Sequence, residues 1–143
     1  MSDLHGYYLE DLEVGMNASF AKTITDADVC LFAGISGDTN PVHINDEYAK
    51  TTMFGKRIVH GMFSAALIST VAGTKLPGPG AIYIDQQIKF KAPVFIGDTA
   101  NALLTVEEID MRRKRVKCKT EVYVGDKIVA TGSATFMVDK REA

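Results

Sequence analysis

Residues 61–73, Gly-Met-Phe-Ser-Ala-Ala-Leu-Ile-Ser-Thr-Val-Ala-Gly, carry no charge and set apolar or small side chains in every direction around a helix. Such a helix has no face to give to water, so the rest of the chain is expected to surround it. It is also too short to cross a bilayer, which takes about 20 apolar residues. The run Leu76-Pro77-Gly78-Pro79-Gly80 then breaks the helix, and behind it the apolar period drops to two.

Four alternating segments follow. Ile82, Ile84, Ile88 and Phe90 share one face of a strand, with Tyr83, Asp85, Gln87 and Lys89 on the other. Residues 101–109 repeat the pattern with Ala102, Leu104 and Val106. Val116, Cys118, Val122 and Val124 then alternate with Lys117, Lys119, Glu121 and Tyr123. Gly125-Asp126 signals a two-residue hairpin leading to Ile128, Ala130, Ala134, Phe136 and Val138.

Ahead of the apolar helix, residues 16–24 read as a strand and Thr25-Asp26-Ala27-Asp28 as a capped helix start. Val29, Phe32, Ala33 and Ser36 give that helix one face, and Gly37 stops it. Residues 37–41 are turn chemistry throughout, and residues 45–51 suit a short helix capped by Asn45. A length of 143 residues supports one core and not two, so residues 1–143 are expected to form a single domain. The pattern predicts an α+β fold in which a curved antiparallel sheet wraps a buried central helix, the hotdog arrangement.

Several function classes fall away. Asp and Glu outnumber Lys and Arg by 18 to 16, without the basic surplus that nucleic-acid binding requires. No apolar run is long enough for a membrane. Cys30 and Cys118 lie in apolar-periodic segments without metal-ligand spacing and are expected to be reduced core thiols; no metal site is expected. Residues 1–10 show neither a basic stretch nor an apolar signal core, so a cytoplasmic location is expected, or an organelle matrix after removal of a transit peptide.

Asp38 and His43 flank a Pro-containing loop, so a carboxylate and an imidazole can converge on one water and do acid and base work. Spacing alone leaves a plain turn Asp and a structural His open. The segment Phe32-Ala33-Gly34-Ile35-Ser36-Gly37-Asp38-Thr39-Asn40-Pro41-Val42-His43, followed by Ile58-Val59-His60-Gly61-Met62-Phe63-Ser64, resembles the (R)-specific enoyl-CoA hydratase group of MaoC-like dehydratases. The resemblance extends over roughly residues 8–138. It implies reversible hydration of trans-2-enoyl-CoA to (R)-3-hydroxyacyl-CoA, with Asp38 and His43 as the catalytic dyad.

By the same resemblance, Asn40 and Ser64 line or brace the site and the Gly61 amide holds the thioester oxygen. It also implies a homodimer whose sheets join, with coenzyme A entering as part of the substrate and no separate cofactor. The position of Gly61 is physically apt, since a helix N-terminus presents unpaired amides and partial positive charge to a developing enolate oxygen. His60 is expected to support the catalytic pair from behind or to take a hydrogen-bonded structural role, and His5 an exposed terminal place. The basic stretch Arg112 to Lys119 reads as a solvated strand face or as a landing site for coenzyme A phosphates.

The alternative function is dehydration of a 3-hydroxyacyl group on acyl carrier protein, which would use the same residues. A hotdog thioesterase is disfavoured because residues 61–73 hold no carboxylate. A non-catalytic acyl-thioester binding module is disfavoured because the acid and base pair is present.

Overall fold

Thr25 opens the first helix as its sequence suggests. Asp28 donates its backbone N–H to Thr25 Oγ1 at 3.1 Å, and Thr25 N–H returns to Asp28 Oδ2 at 2.9 Å. Helix α1, Asp26–Ser36, ends where Gly37 turns left-handed at φ 78° and its N–H closes on the Ala33 carbonyl. The computed structural model, which describes residues 2–142, places strand β1, Asn17–Thr23, before it. The short helices α2, Pro41–Ile44, and α3, Asp46–Lys50, follow.

The uncharged segment forms α4, Gly61–Thr74, and the four strands behind it are β2, Ile82–Phe90, β3, Thr99–Asp110, β4, Arg115–Val124, and β5, Lys127–Met137. All five strands join one antiparallel sheet in the order β1-β3-β4-β5-β2. Helix α4 lies across β1, β3 and β4. Its Phe63, Leu67, Ile68 and Val71 are buried with Ala100, Ala102, Leu104 and Val106 of β3 and with Val116, Cys118 and Val122 of β4. Full burial of such a side chain is worth about 1.5–3 kcal/mol, so this contact holds the layers together. The α+β hotdog fold expected from the alternation is the fold observed. Among the described residues, no helix is long and apolar enough to cross a membrane.

Four expectations need correction. Helix α4 is not covered all round, because Met62, Ala66, Ser69 and Gly73 form an exposed stripe at successive helical turns. Strand β2 does not alternate cleanly: Tyr83 pairs with Phe136 and Asp85 with Thr135, so Ile84 is an extra, bulged residue. The bulge sends Tyr83, Gln86, Ile88 and Phe90 to the inner face and Ile82 to the outer one. Cys30 is exposed on α1, whereas Cys118 is buried and its thiol is pushed up to about 12 by desolvation. His5 is half-buried, stacked on Tyr8 at 4.0 Å.

Candidate active site

Where α1 stops, the chain enters a short loop whose polar groups satisfy one another. Ser36 Oγ donates to the Phe32 carbonyl and accepts from Asp38 N–H, while Asp38 Oδ1 accepts from Asn40 N–H at 3.2 Å. Asn40 caps α2, its Oδ1 accepting from Val42 N–H at 3.1 Å. Pro41 takes the first helical position, where its missing N–H costs nothing. Residues 37–40 stay a loop, as their turn chemistry suggests, and Pro41–Ile44, for which the sequence pattern predicts no element beyond the turn at Pro41, wind into a helical turn that carries His43 inward.

His43 is buried, and its Nδ1 lies 2.8 Å from the Ile58 carbonyl. A carbonyl can only accept, so Nδ1 carries the proton and Nε2 is left bare as an acceptor. Burial holds the His43 pKa below the ordinary histidine value; the Ile58 carbonyl opposes this, the His60 ring adds to it, and Asp38 opposes it. The imidazole is thus kept neutral at neutral pH. Asp38 is exposed.

His60 is almost fully buried and stacks on His43, with ring centroids 3.8 Å apart and planes 27° from parallel. Its Nε2–H donates to the Asp38 main-chain carbonyl at 2.9 Å. One donor atom from each of Asp38, His43 and His60 lies within 4.8 Å of the other two. Stacked imidazoles point their lone pairs in nearly parallel planes, a poor arrangement for two ligands of one metal ion. The Asp38 carboxylate and His43 Nε2 suit a shared water better, since both accept and a water has two protons to give.

Gly61 follows His60 and starts α4, where the first amides have no partner inside the helix. A Cβ at Gly61 would come within 2.9 Å of the Phe90 ring, so glycine lets the aromatic close on the helix start. A cleft of about 530 Å³ opens beside it, lined among others by Ile58, His60, Gly61, Ser64, Phe90 and Val129. Its size and mostly apolar wall suit a small organic ligand. Ser64 is buried one turn into α4 and also borders the cleft.

The expected residues therefore fall in two groups. Asp38, Asn40 and His43 gather in the loop and α2, Gly61 and Ser64 line the cleft, and His60 joins the two. The basic stretch lies elsewhere in the chain: Arg115 pairs with Met137, which pairs with Ile82, so the hairpin 111–114 sits at the end of the sheet opposite Phe90.

Sequence reasoning missed Arg57. This buried side chain donates Nε–H to the His43 carbonyl at 2.6 Å and bridges to Asp26 at 2.7 Å and Asp46 at 3.9 Å. Its hydrogen bond to Asp26 raises the Arg57 pKa and lowers that of Asp26, so both stay charged. Arg57 ties α1, α2 and α3 around the back of His43. A lone Arg whose partners are distant in sequence offers no local signal.

The MaoC like domain matches residues 11–133 of the chain. An (R)-specific enoyl-CoA hydratase of Rhodospirillum rubrum is 54% identical over 97% of this chain and 96% of its own length. A 3-hydroxybutyryl-CoA dehydratase of Methylorubrum extorquens is 45% identical over 99% of this chain and 90% of its own. Among solved structures, the unliganded R-hydratase PhaJ1 from Pseudomonas aeruginosa superposes with a TM-score of 0.88 at 43% identity, covering 94% of this chain and 86% of that one.

Proposed function

Because the chain belongs to the MaoC-like domain family, we propose that it is a hydro-lyase that adds water across trans-2-enoyl-CoA to give (R)-3-hydroxyacyl-CoA, reversibly. Residues 1–143 act as one domain in this reading. The observation that carries it is the Asp38 carboxylate within 4.8 Å of a ring nitrogen of His43, whose Nε2 is left bare by the bond from Nδ1 to the Ile58 carbonyl, with the His60–Gly61 start of α4 and its unpaired amides alongside.

The thioester carbonyl sits at the Gly61 amide, where the helix N-terminus stabilises the enolate-like oxygen. A water that donates to both Asp38 and His43 turns its lone pair toward the β-carbon. One of its protons passes to the dyad, and the α-carbon receives a proton in return. Both groups are proposed to contact the same water, so the proton steps are assigned to the dyad rather than to either residue alone. Asn40 braces the loop through its cap, and Ser64 lines the wall. Addition of water leaves the overall oxidation state unchanged, so the reaction calls for no redox cofactor; coenzyme A is part of the substrate. Helix α4 carries no carboxylate, which supports a lyase over a hotdog hydrolase.

The test is loss of the enoyl-thioester absorbance when purified protein meets crotonyl-CoA, followed by chiral analysis of the product. Absence of hydration, or an (S) product, overturns the reading. Running crotonyl-CoA against the crotonyl thioester of acyl carrier protein at equal concentration separates the proposed donor from its alternative. The expected location is the cytoplasm or an organelle matrix.

The working form is proposed to be a homodimer. Among the described residues strand β2 ends the sheet with an edge that pairs with no other strand, and it exposes Ile82, Ile84 and Phe90; the α4 stripe is likewise uncovered. An apolar edge of this kind is normally covered. Sedimentation at micromolar concentration is expected to give a dimer, and a monomer alone would count against it.

A further inference from the structure

The His60 ring has an unusual set of partners for a buried histidine. It packs on His43 at 3.8 Å and meets Phe32 at 4.8 Å with planes 54° apart, contacts that any aromatic ring could make. Only its Nε2–H, bonded to the Asp38 carbonyl at 2.9 Å, requires an imidazole. Because that nitrogen must donate, Nδ1 is a bare acceptor, and it is buried without a hydrogen-bond partner. Leaving such an atom unpaired is costly, and a phenyl ring would avoid the cost.

We propose that His60 is the positioning residue of this site, its Nε2–H pinning the Asp38 main chain to the start of α4 so that the Asp38 carboxylate and His43 Nε2 share one water beside the Gly61 amide. The proposal rests on the hydratase reading above. The covalent logic supports it: His60 directly precedes Gly61, and its carbonyl accepts from Phe63 N–H, so one residue sets both the helix start and the Asp38 loop. The loop has no comparable anchor of its own. Asp38 N–H and Oδ1 bond only within residues 36–40, which stabilises the turn but does not fix it to the cleft. His60 does not touch the reacting atoms in this scheme, so it acts through Asp38 and His43.

The experiment compares His60→Phe and His60→Gln with wild type in the full-length protein. Phenylalanine keeps the stacking and loses the donor; glutamine loses the ring and offers an N–H near the position of Nε2. His60→Phe is expected to melt at or above the wild-type temperature yet to lose about 10²-fold in kcat on crotonyl-CoA, the size of effect that misplacement near 1 Å produces. KM should change far less, and His60→Gln should recover at least tenfold of the loss. Hydrogen exchange supplies a readout that needs no substrate: protection of the Asn40, Val42 and His43 amides is expected to fall about tenfold in His60→Phe and to return in His60→Gln, relative to unchanged β3 and β4. Wild-type protection of these amides in His60→Phe, or a kcat within threefold of wild type, overturns the proposal. If wild-type protein hydrates no enoyl-thioester, the hydratase reading fails, and the exchange result still decides whether His60 anchors the loop.

Discussion

Asp38→Asn and His43→Gln are each expected to lower kcat by on the order of 10²- to 10⁴-fold while the protein keeps its fold. Both substitutions keep a hydrogen-bonding group for the neighbouring backbone. Asp38 is exposed, and the amide of Asn can still accept from Asn40 N–H. Gln at position 43 can place an N–H toward the Ile58 carbonyl. KM should move far less than kcat, since neither group holds the pantetheine. With both groups proposed to act on one water, the double variant should lose much less than the product of the single losses. Ser64→Ala is the comparison: a wall residue should cost less than either dyad member.

The pH profile adds a signed expectation. His43 must be neutral for Nε2 to accept the water's hydrogen bond, and burial lowers its pKa from 6.5. As pH falls, the neutral form therefore persists past the ordinary histidine range, and the acid limb of kcat should have its midpoint below 6.5. That limb should disappear or move in His43→Gln. Near-normal hydration by both dyad variants would put the chemistry on other residues.

What sequence made legible here is what local chemistry controls. Thr25 and Asp28 form a capping box whether or not the fold is known, Gly37 stops α1 by its left-handed turn, and Gly125 and Asp126 join two alternating strands. The uncharged helix and the four strands behind it dictated a wrapped layout. Alternation failed at Ile84, because a bulge reads as ordinary apolar sequence until its neighbour's register is known. The exposed α4 stripe escaped for a related reason: an uncharged helix asks for cover, but its sequence does not say how much of that cover this chain's own sheet supplies.

The site divides in the same way. Asp38, Asn40, Pro41 and His43 lie close together in sequence, so their convergence could be suspected from spacing and was sharpened by family resemblance. Gly61 and Ser64 came from resemblance, with the helix terminus giving Gly61 a physical reason. Arg57 and the bond from His60 to the Asp38 carbonyl are tertiary, joining residues that neither period nor motif relates. A buried ion bridge and an imidazole-to-backbone tie are visible only once α1, α2 and α4 are docked.

Gly132→Ala is expected to produce a large loss of stability, since a Cβ there would make the closest approach of any glycine among the described residues. Gly132 lies in β5 between Thr120 of β4 and Ile88 of β2, where a Cβ would come within 1.8 Å of the Gln87 carbonyl oxygen and 3.0 Å of Ile88 Cα. That carbonyl is not free to swing away. It accepts from Gln86 Nε2 at 2.7 Å, the same amide nitrogen donates to Thr120 Oγ1 at 3.0 Å, and Tyr83 donates its hydroxyl to Gln86 Oε1. Overpacking costs about 1–3 kcal/mol where side chains can yield. Here the backbone of β2 must yield instead, so a loss of about 3 kcal/mol is expected, or roughly 10 °C in Tm. The consequence should reach the site, because β2 carries Phe90, whose ring closes on Gly61. Gly34→Ala is the control: its Cβ meets nothing within 4 Å inside α1, and replacing a helical glycine by alanine should stabilise by about 1 kcal/mol. A scanning melt that finds Gly132→Ala within 2 °C of wild type would mean that β2 can lift from β5 at little cost, and the close approach of the two strands would then have no role in holding the cleft wall.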